Sequence, residues 1–272
     1  MSKFIFIFLF INSGFVIPLS AQINSPDDAN KQIAFADYLF NTQQYDFAAE
    51  EYLKLVFLYP ENAILKKRTL ESFRLDMDLE SGLYFSRIFF DADKNSSLTF
   101  YNEIVKIKMI AGKSVLSDNL FPDSTKFRLK YYESQLLDYM LALDWEQVDR
   151  NANKIKESEL YLFTQNTPEN EYLSPFLAAS LSAIIPGSGK VYAKRWKDGV
   201  SSFLLVGLTA FQAYRGFDRS GTDSVYGWIM GGLSAGFYLG NIYGSFKAAK
   251  NYNNNLNVQF KDRVVNYYID HY

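Results

Sequence analysis

The sequence predicts an all-α protein in two parts: a series of helical hairpins, followed by a small glycine-rich helical domain that enters a membrane. Three observations point there. From Ile33 onward apolar residues recur at helical spacing rather than in strict alternation. Two segments, Val200 to Tyr214 and Val225 to Phe246, carry no charge and are flanked by Lys and Arg. With 48% hydrophobic and 17% aromatic residues the chain is too apolar to be disordered, and with no Cys it has no disulfide framework to replace a packed core.

Taken in order, the parts are a targeting segment over residues 1–21, helical hairpins over 22–172, a membrane domain of two to three hydrophobic helices over 173–250, and a polar tail over 251–272. The first begins with Lys3, continues as an apolar run from Phe4 to Ile11 that resumes at Phe15, and ends in the small residues Ser20 and Ala21. That pattern predicts a secretory signal peptide cleaved after Ala21. Leu19 is bulky for its place before the cut, so an uncleaved anchor is the alternative. No Cys follows for lipid attachment.

The first hairpin lies in "IAFADYLFNTQQYDFAAEEYLKLVFLYPEN". Small Ala36 and Ala48 fall where two helices approach, Tyr45 and Tyr52 fill the groove between them, and Pro60 ends the second helix because it cannot continue the hydrogen-bond ladder. This arrangement resembles a tetratricopeptide repeat. Advancing by that family's period of about 34 residues brings Leu79, Gly82 and Ser86 to the places of Tyr45, Ala48 and Tyr52, giving a second hairpin over Leu65 to Asp91. A helical run follows from Leu98 to Ala111. After the polar break "SDNLFPDST", a third hairpin from Lys126 to Lys156 has Trp145 in Tyr45's place. The resemblance implies a short stack with a concave surface that takes a protein partner; a spacer without a partner is the plainer reading.

Several chemistries are excluded. The net charge of −2 has no polyanion-binding signature, so no nucleic acid is expected. One His, at position 271, and no Cys leave no His-based triad and no His or thiolate metal site. In "DADKNSSLTFYNE", Asp91, Asp93, Asn95 and Ser97 alternate as in a calcium loop, but Ser96 stands where Gly is needed and Asn102 where the bidentate Glu should be, so a polar inter-helix loop is the reading. No catalytic residue, metal or cofactor is expected.

The stretch "IIPGSGKVYAKRWKDG" superficially suggests a phosphate loop. The required first glycine would fall at Ile184, Val191 follows Gly189-Lys190 where Ser or Thr is needed, and the preceding "PFLAASLSAII" has helical rather than strand character. Instead Pro186, Gly187, Gly189, Tyr192, Trp196 and Gly199 resemble a family of small bacterial membrane domains with Pro-Gly-x-Gly-x-x-Tyr, a basic or aromatic turn, a Gly and a helical pair. The resemblance covers Ser174 to Asn251 and implies architecture more than activity; Lys190 stands where that family often has Gln. On this reading Pro186 stops a helix and the two glycines make a tight turn. Tyr192 and Trp196 lie at headgroup level, and Lys190, Lys194, Arg195 and Lys197 lie in the aqueous or lipid-phosphate layer.

Gly232, Gly236, Gly240 and Gly244 recur every four residues in the second apolar segment. In lipid such a ladder lets two backbones pack closely. The preceding helix is the favoured partner; a second copy of the same helix, giving a homo-oligomer, is the alternative. If Leu173 to Ile185 also crosses, the positive-inside rule puts the Lys/Arg-rich turn and the C-terminus inside, opposite an exported N-terminal domain. If it does not, the two apolar helices form a hairpin. The tail alternates briefly at Leu256, Val258 and Phe260, which leaves it open between a short strand and an appended helix. The sequence thus predicts a non-enzymatic, membrane-anchored scaffold or adaptor of a bacterial envelope, in the inner membrane with its N-terminal domain exported. It binds a protein partner through its repeats and lipid through its helices. A small transport or channel component is the alternative.

Overall fold

The computed structural model describes residues 26–92, 98–115 and 128–272. The predicted signal peptide lies outside the described residues, as do Asp93, Asn95 and Ser97 of the calcium-like loop. Among the described residues the chain is entirely helical, with no strand. It divides into two compact units, Met1–Glu103 and Ile104–Tyr272, a division that falls inside a helix.

The first unit contains α1 (Pro26–Asn41), α2 (Tyr45–Leu58), α3 (Ala63–Leu75), α4 (Leu79–Ala92) and the start of α5 (Leu98–Ile110). Ala36 and Ala48 are wholly buried, as two backbones in close approach require. Tyr52 is buried, and its hydroxyl donates to Asp37. Tyr45 is half-buried, its ring edge-on to Phe40 at 5.4 Å. Helix α2 ends at Leu58, two residues before Pro60. Proline disfavours helical geometry in the residue before it, and Tyr59 leaves the helix at φ −127°. Asn62 restarts the chain as the N-cap of α3, accepting from the amides of Ile64 and Leu65. Between α3 and α4, Phe73 and Phe85 stack with centroids 5.5 Å apart, and the Arg74 guanidinium donates to the buried Glu103 carboxylate.

The inter-helix turns repeat one geometry. Gln43, Met77, Gly112 and Leu143 all have φ between 60° and 63°, at intervals close to the period of about 34 residues. In three of them the next amide reaches back to close the helix: Gln44 to Leu39 O, Lys113 to Lys108 O and Asp144 to Tyr139 O, each at 2.9 Å. The helices that follow begin two residues after the left-handed position, at Tyr45, Leu79 and Trp145.

The second unit holds the rest of α5, α6 (Arg128–Ala142), α7 (Trp145–Asn151), α8 (Tyr161–Gln165), α9 (Pro175–Ile184), α10 (Ser188–Tyr192), α11 (Trp196–Ser220) and α12 (Val225–His271). Asp144 caps α7 by accepting from the Gln147 amide at 3.2 Å. Val105, Met109, Leu136, Leu137, Met140, Val148, Ile155 and Leu160 form a core completed by Phe260, Val264 and Tyr268 of α12.

That completion resolves one open expectation and corrects another. Of the strand and the appended helix, the tail is the helix: α12 is one helix of 47 residues, about 70 Å long. Its buried residues step by four, Phe260, Val264 and Tyr268, while Val258 is 56% exposed. The three-crossing arrangement fails. The end of α12 is packed inside the core of α5–α8, so the two cannot lie on opposite sides of a membrane. Among the described residues, moreover, no helix is long and apolar enough to cross a membrane. The uncharged part of α12 is diluted by Gly, Ser, Tyr, Trp and an Asn.

Candidate functional site

The glycine-rich turn is assembled by four helices of the second unit. Helix α9 starts with Pro175 in its first turn and the Ser174 hydroxyl capping Leu177 N at 3.2 Å. Its small inner face, Ala178 and Ser182, is fully buried. After α9 ends, Gly187 takes φ +90°. A Cβ on Gly187 would lie 2.0 Å from Gly199 O; one on Gly189 would lie 1.8 Å from Ala178 O; one on Gly199 would meet Val191 Cγ2 at 2.6 Å. Gly187 and Gly189 are therefore set by backbone contact, and Gly199 by both Val191 and the Gly187 carbonyl at 2.7 Å, with α10 wedged between α9 and α11.

The loop holds no phosphate cradle. The Ser188 amide donates to Ile185 O, Gly189 to Ser182 Oγ, and both Lys190 and Val191 to Gly187 O. These four amides are already used. Gly189 instead starts a buried chain of hydrogen bonds. Its N–H donates to Ser182 Oγ at 2.9 Å, Ser182 and Ser245 share a hydrogen bond of 2.7 Å, and Ser245 donates to Asn241 O at 2.9 Å. Asn241 Nδ2 reaches Ser182 O at 3.4 Å, while its Oδ1 is buried without a partner. Sequence reasoning missed this seam. Its only signal was Asn241 and Ser245, four apart in an otherwise apolar helix.

The other turn residues are placed as follows. The Lys190 ammonium donates to Ser202 Oγ at 2.7 Å, and its Cε lies over Gly244. Tyr192 is half-buried and accepts from the Ser174 amide at 3.2 Å, which ties the start of α9 to the end of α10. Trp196 is 61% exposed. Pro186 is partly buried beside the left-handed glycine.

Within the chain, the glycine ladder is not packed against the preceding helix. A Cβ on Gly232, Gly236 or Gly240 would meet nothing within 4 Å, so these are not where α11 and α12 touch. Close approach occurs at the hairpin end, where a Cβ on Gly216 would lie 2.7 Å from Gly227 Cα. Gly244 alone is covered, by the Lys190 side chain. Helix α12 turns Gly227, Asn241 and Ser245 inward, leaving most of the ladder facing out.

Below the turn, Asn253 grips the backbone of Leu173 from both sides, accepting from its amide at 2.8 Å and donating to its carbonyl at 2.9 Å. Tyr172 donates to Asn257 and accepts from Trp145 Nε1. Outward, the same four helices expose Phe176 and Ile184 at 78% each, with Leu208, Phe211, Trp228, Leu239 and Tyr243 all above half. Among the described residues no group of acidic, His or Cys side chains is arranged to hold a metal. Compared with protein-family models, curated proteins and solved structures, the chain has no match.

Proposed function

We propose that the chain is a non-catalytic, membrane-anchored adaptor of a bacterial envelope. The observation that carries this is the outward surface of α9, α11 and α12. Large apolar side chains there, from Phe176 to Tyr243, stand exposed over a polar interior of Ser182, Ser202, Asn241 and Ser245. That is the inverse of a water-soluble helix group, and an apolar patch of this kind marks a lipid or protein interface. The apolarity that no single helix supplies is supplied by the outer faces together. A hairpin of α11 and α12, with α9 lying against it, keeps α5–α8 and the end of α12 on one side.

The helical hairpins serve as the recruiting part. The recurring left-handed turns at about 34-residue intervals support a tetratricopeptide-like reading. The first unit exposes Phe35, Tyr38, Phe47 and Phe57, more aromatic surface than a helical spacer requires. Alkaline carbonate extraction of cell membranes, followed by vesicle flotation of the purified chain, tests the anchor. The chain is expected to stay with the lipid, and release into the supernatant would reject the reading. In-cell cross-linking is expected to capture one stoichiometric partner that is lost on Phe57→Ser with Phe35→Ser.

A further inference from the structure

We infer that the groove between the α10–α11 turn and α12 binds a phosphate ester, which on the anchored chain is the headgroup of an anionic lipid. The groove has a volume of about 470 Å3 and a floor of Ala193 and Ala248. Its walls are Lys194, Arg195, Asn251, Tyr252, Asn254 and Asn255. Two cations, three amides and a phenol line it, and no carboxylate does. Asp198 holds one nitrogen of Arg195 at 2.5 Å, leaving further N–H groups of the planar guanidinium free to donate. Among the described residues, none forms an ion pair or a hydrogen bond with the Lys194 ammonium.

The asparagine tract "NYNNNLN" separates cleanly by use. Asn253 and Asn257 are spent on Leu173 and Tyr172. Asn251, Asn254 and Asn255 are exposed, make no side-chain bond, and line the groove. A tetrahedral phosphate with several acceptor oxygens suits this set: charge-assisted bonds from Lys and Arg, and neutral donors from the amides. The amide oxygens and the Tyr252 hydroxyl can also take a headgroup's own hydroxyls. The position fits as well, and here the inference rests on the anchor proposed above. The outward apolar face of α12 ends at Phe246, and the groove opens from Ala248, where an embedded helix would enter the headgroup layer.

The test uses the full chain. Flotation is measured with phosphatidylcholine vesicles, with and without phosphatidic acid, and phosphorus NMR line broadening of glycerol 3-phosphate and inorganic phosphate is measured with detergent-solubilised chain. Lys194→Gly removes the cation while suiting a backbone already at φ +63°. Asn255→Ala removes a neutral donor. Phosphatidic acid is expected to tighten binding. Lys194→Gly is expected to reduce that gain about five-fold, at roughly 1 kcal/mol per cation near the surface, and Asn255→Ala to reduce it measurably. Lys197→Gln, outside the groove, is expected to change it less. Broadening of the soluble esters that Lys194→Gly abolishes would identify free phosphate as a source; vesicle preference without such broadening would identify the lipid. The site is overturned if Lys194→Gly and Asn255→Ala leave both readouts unchanged. It is equally overturned if Lys197→Gln acts as strongly as Lys194→Gly while Asn255→Ala does nothing. Failure to float on phosphatidylcholine would reject the anchor alone, with the NMR arm still deciding the groove.

Discussion

At Gly189 a single methyl group would stand 1.8 Å from a carbonyl oxygen, and at Gly236 it would stand in open space. The two residues look alike in sequence and should behave oppositely. Gly189→Ala is expected to cost about 1–3 kcal/mol or more by overpacking. Gly236→Ala is expected to gain up to about 1 kcal/mol from helix propensity. Urea unfolding in mild detergent, followed by circular dichroism, measures both; equal effects would refute the assigned contacts. The four-residue ladder was the most regular feature of the sequence, yet regularity does not say which face of a helix meets its neighbour. The irregular pair Gly216 and Gly227 carries the approach. A second residue-scale prediction concerns Tyr52, whose hydroxyl is held above the usual tyrosine range by burial and, next, by its bond to Asp37. The folded chain therefore keeps a proton that the unfolded chain loses near pH 10. Its contribution is intact below that pH and is lost as pH rises beyond it. Tyr52→Phe is expected to flatten the alkaline fall in stability, measured by urea titration at stepped pH.

Among the elements, the hairpin helices were legible and the last helix was not. The starts at Tyr45, Leu79 and Trp145 each come two residues after a left-handed turn residue, although the places of Tyr45, Ala48 and Tyr52 are taken by Leu79, Gly82 and Ser86 in the second hairpin. The tail of α12 hides its helicity. Asn and Tyr are poor helix formers, and Val258 imitates alternation although it points outward. The four-step stripe Phe260, Val264, Tyr268 was present in the sequence, but its partners lie about a hundred residues earlier. Phe260→Ala is expected to cost about 3–5 kcal/mol and to open α5–α8 to protease. Asn253→Ala should remove both partners of the half-buried Leu173 amide and carbonyl, at about 0.5–1.5 kcal/mol for each hydrogen bond lost. The same protease digestion should then cut near residue 173 while sparing the core around Leu136.

For the whole molecule, on the anchored chain proposed above, the burial of Phe260 among α5–α8 constrains topology more firmly than the count of basic residues does. Cysteines placed at Asn170 and Gln259 are expected to react together with a membrane-impermeant thiol reagent in intact, outer-permeabilised cells. One at Ser220, at the tip of the α11–α12 hairpin, is expected to react only after lysis. The native chain has no Cys, so each label reports one position. Asn170 and Gln259 labelling on opposite sides would contradict the shared core.

That shared core also sets an order of events during synthesis. Val105, Leu136 and Ile155 leave the ribosome long before Phe260, Val264 and Tyr268, the side chains that close over them. Until then α5–α8 is an unfinished box with an apolar opening, and α9 to α11 have been made while it stays open. A nascent chain stalled at about residue 250 should thus be protease-sensitive between residues 104 and 165 and should hold chaperones. Release of the last turns of α12 should close the box in one step. Pulse-labelled chains of graded length, each carrying a C-terminal extension long enough to fill the ribosome exit tunnel and digested on the ribosome, should show protection arriving abruptly once Tyr268 has emerged rather than growing hairpin by hairpin.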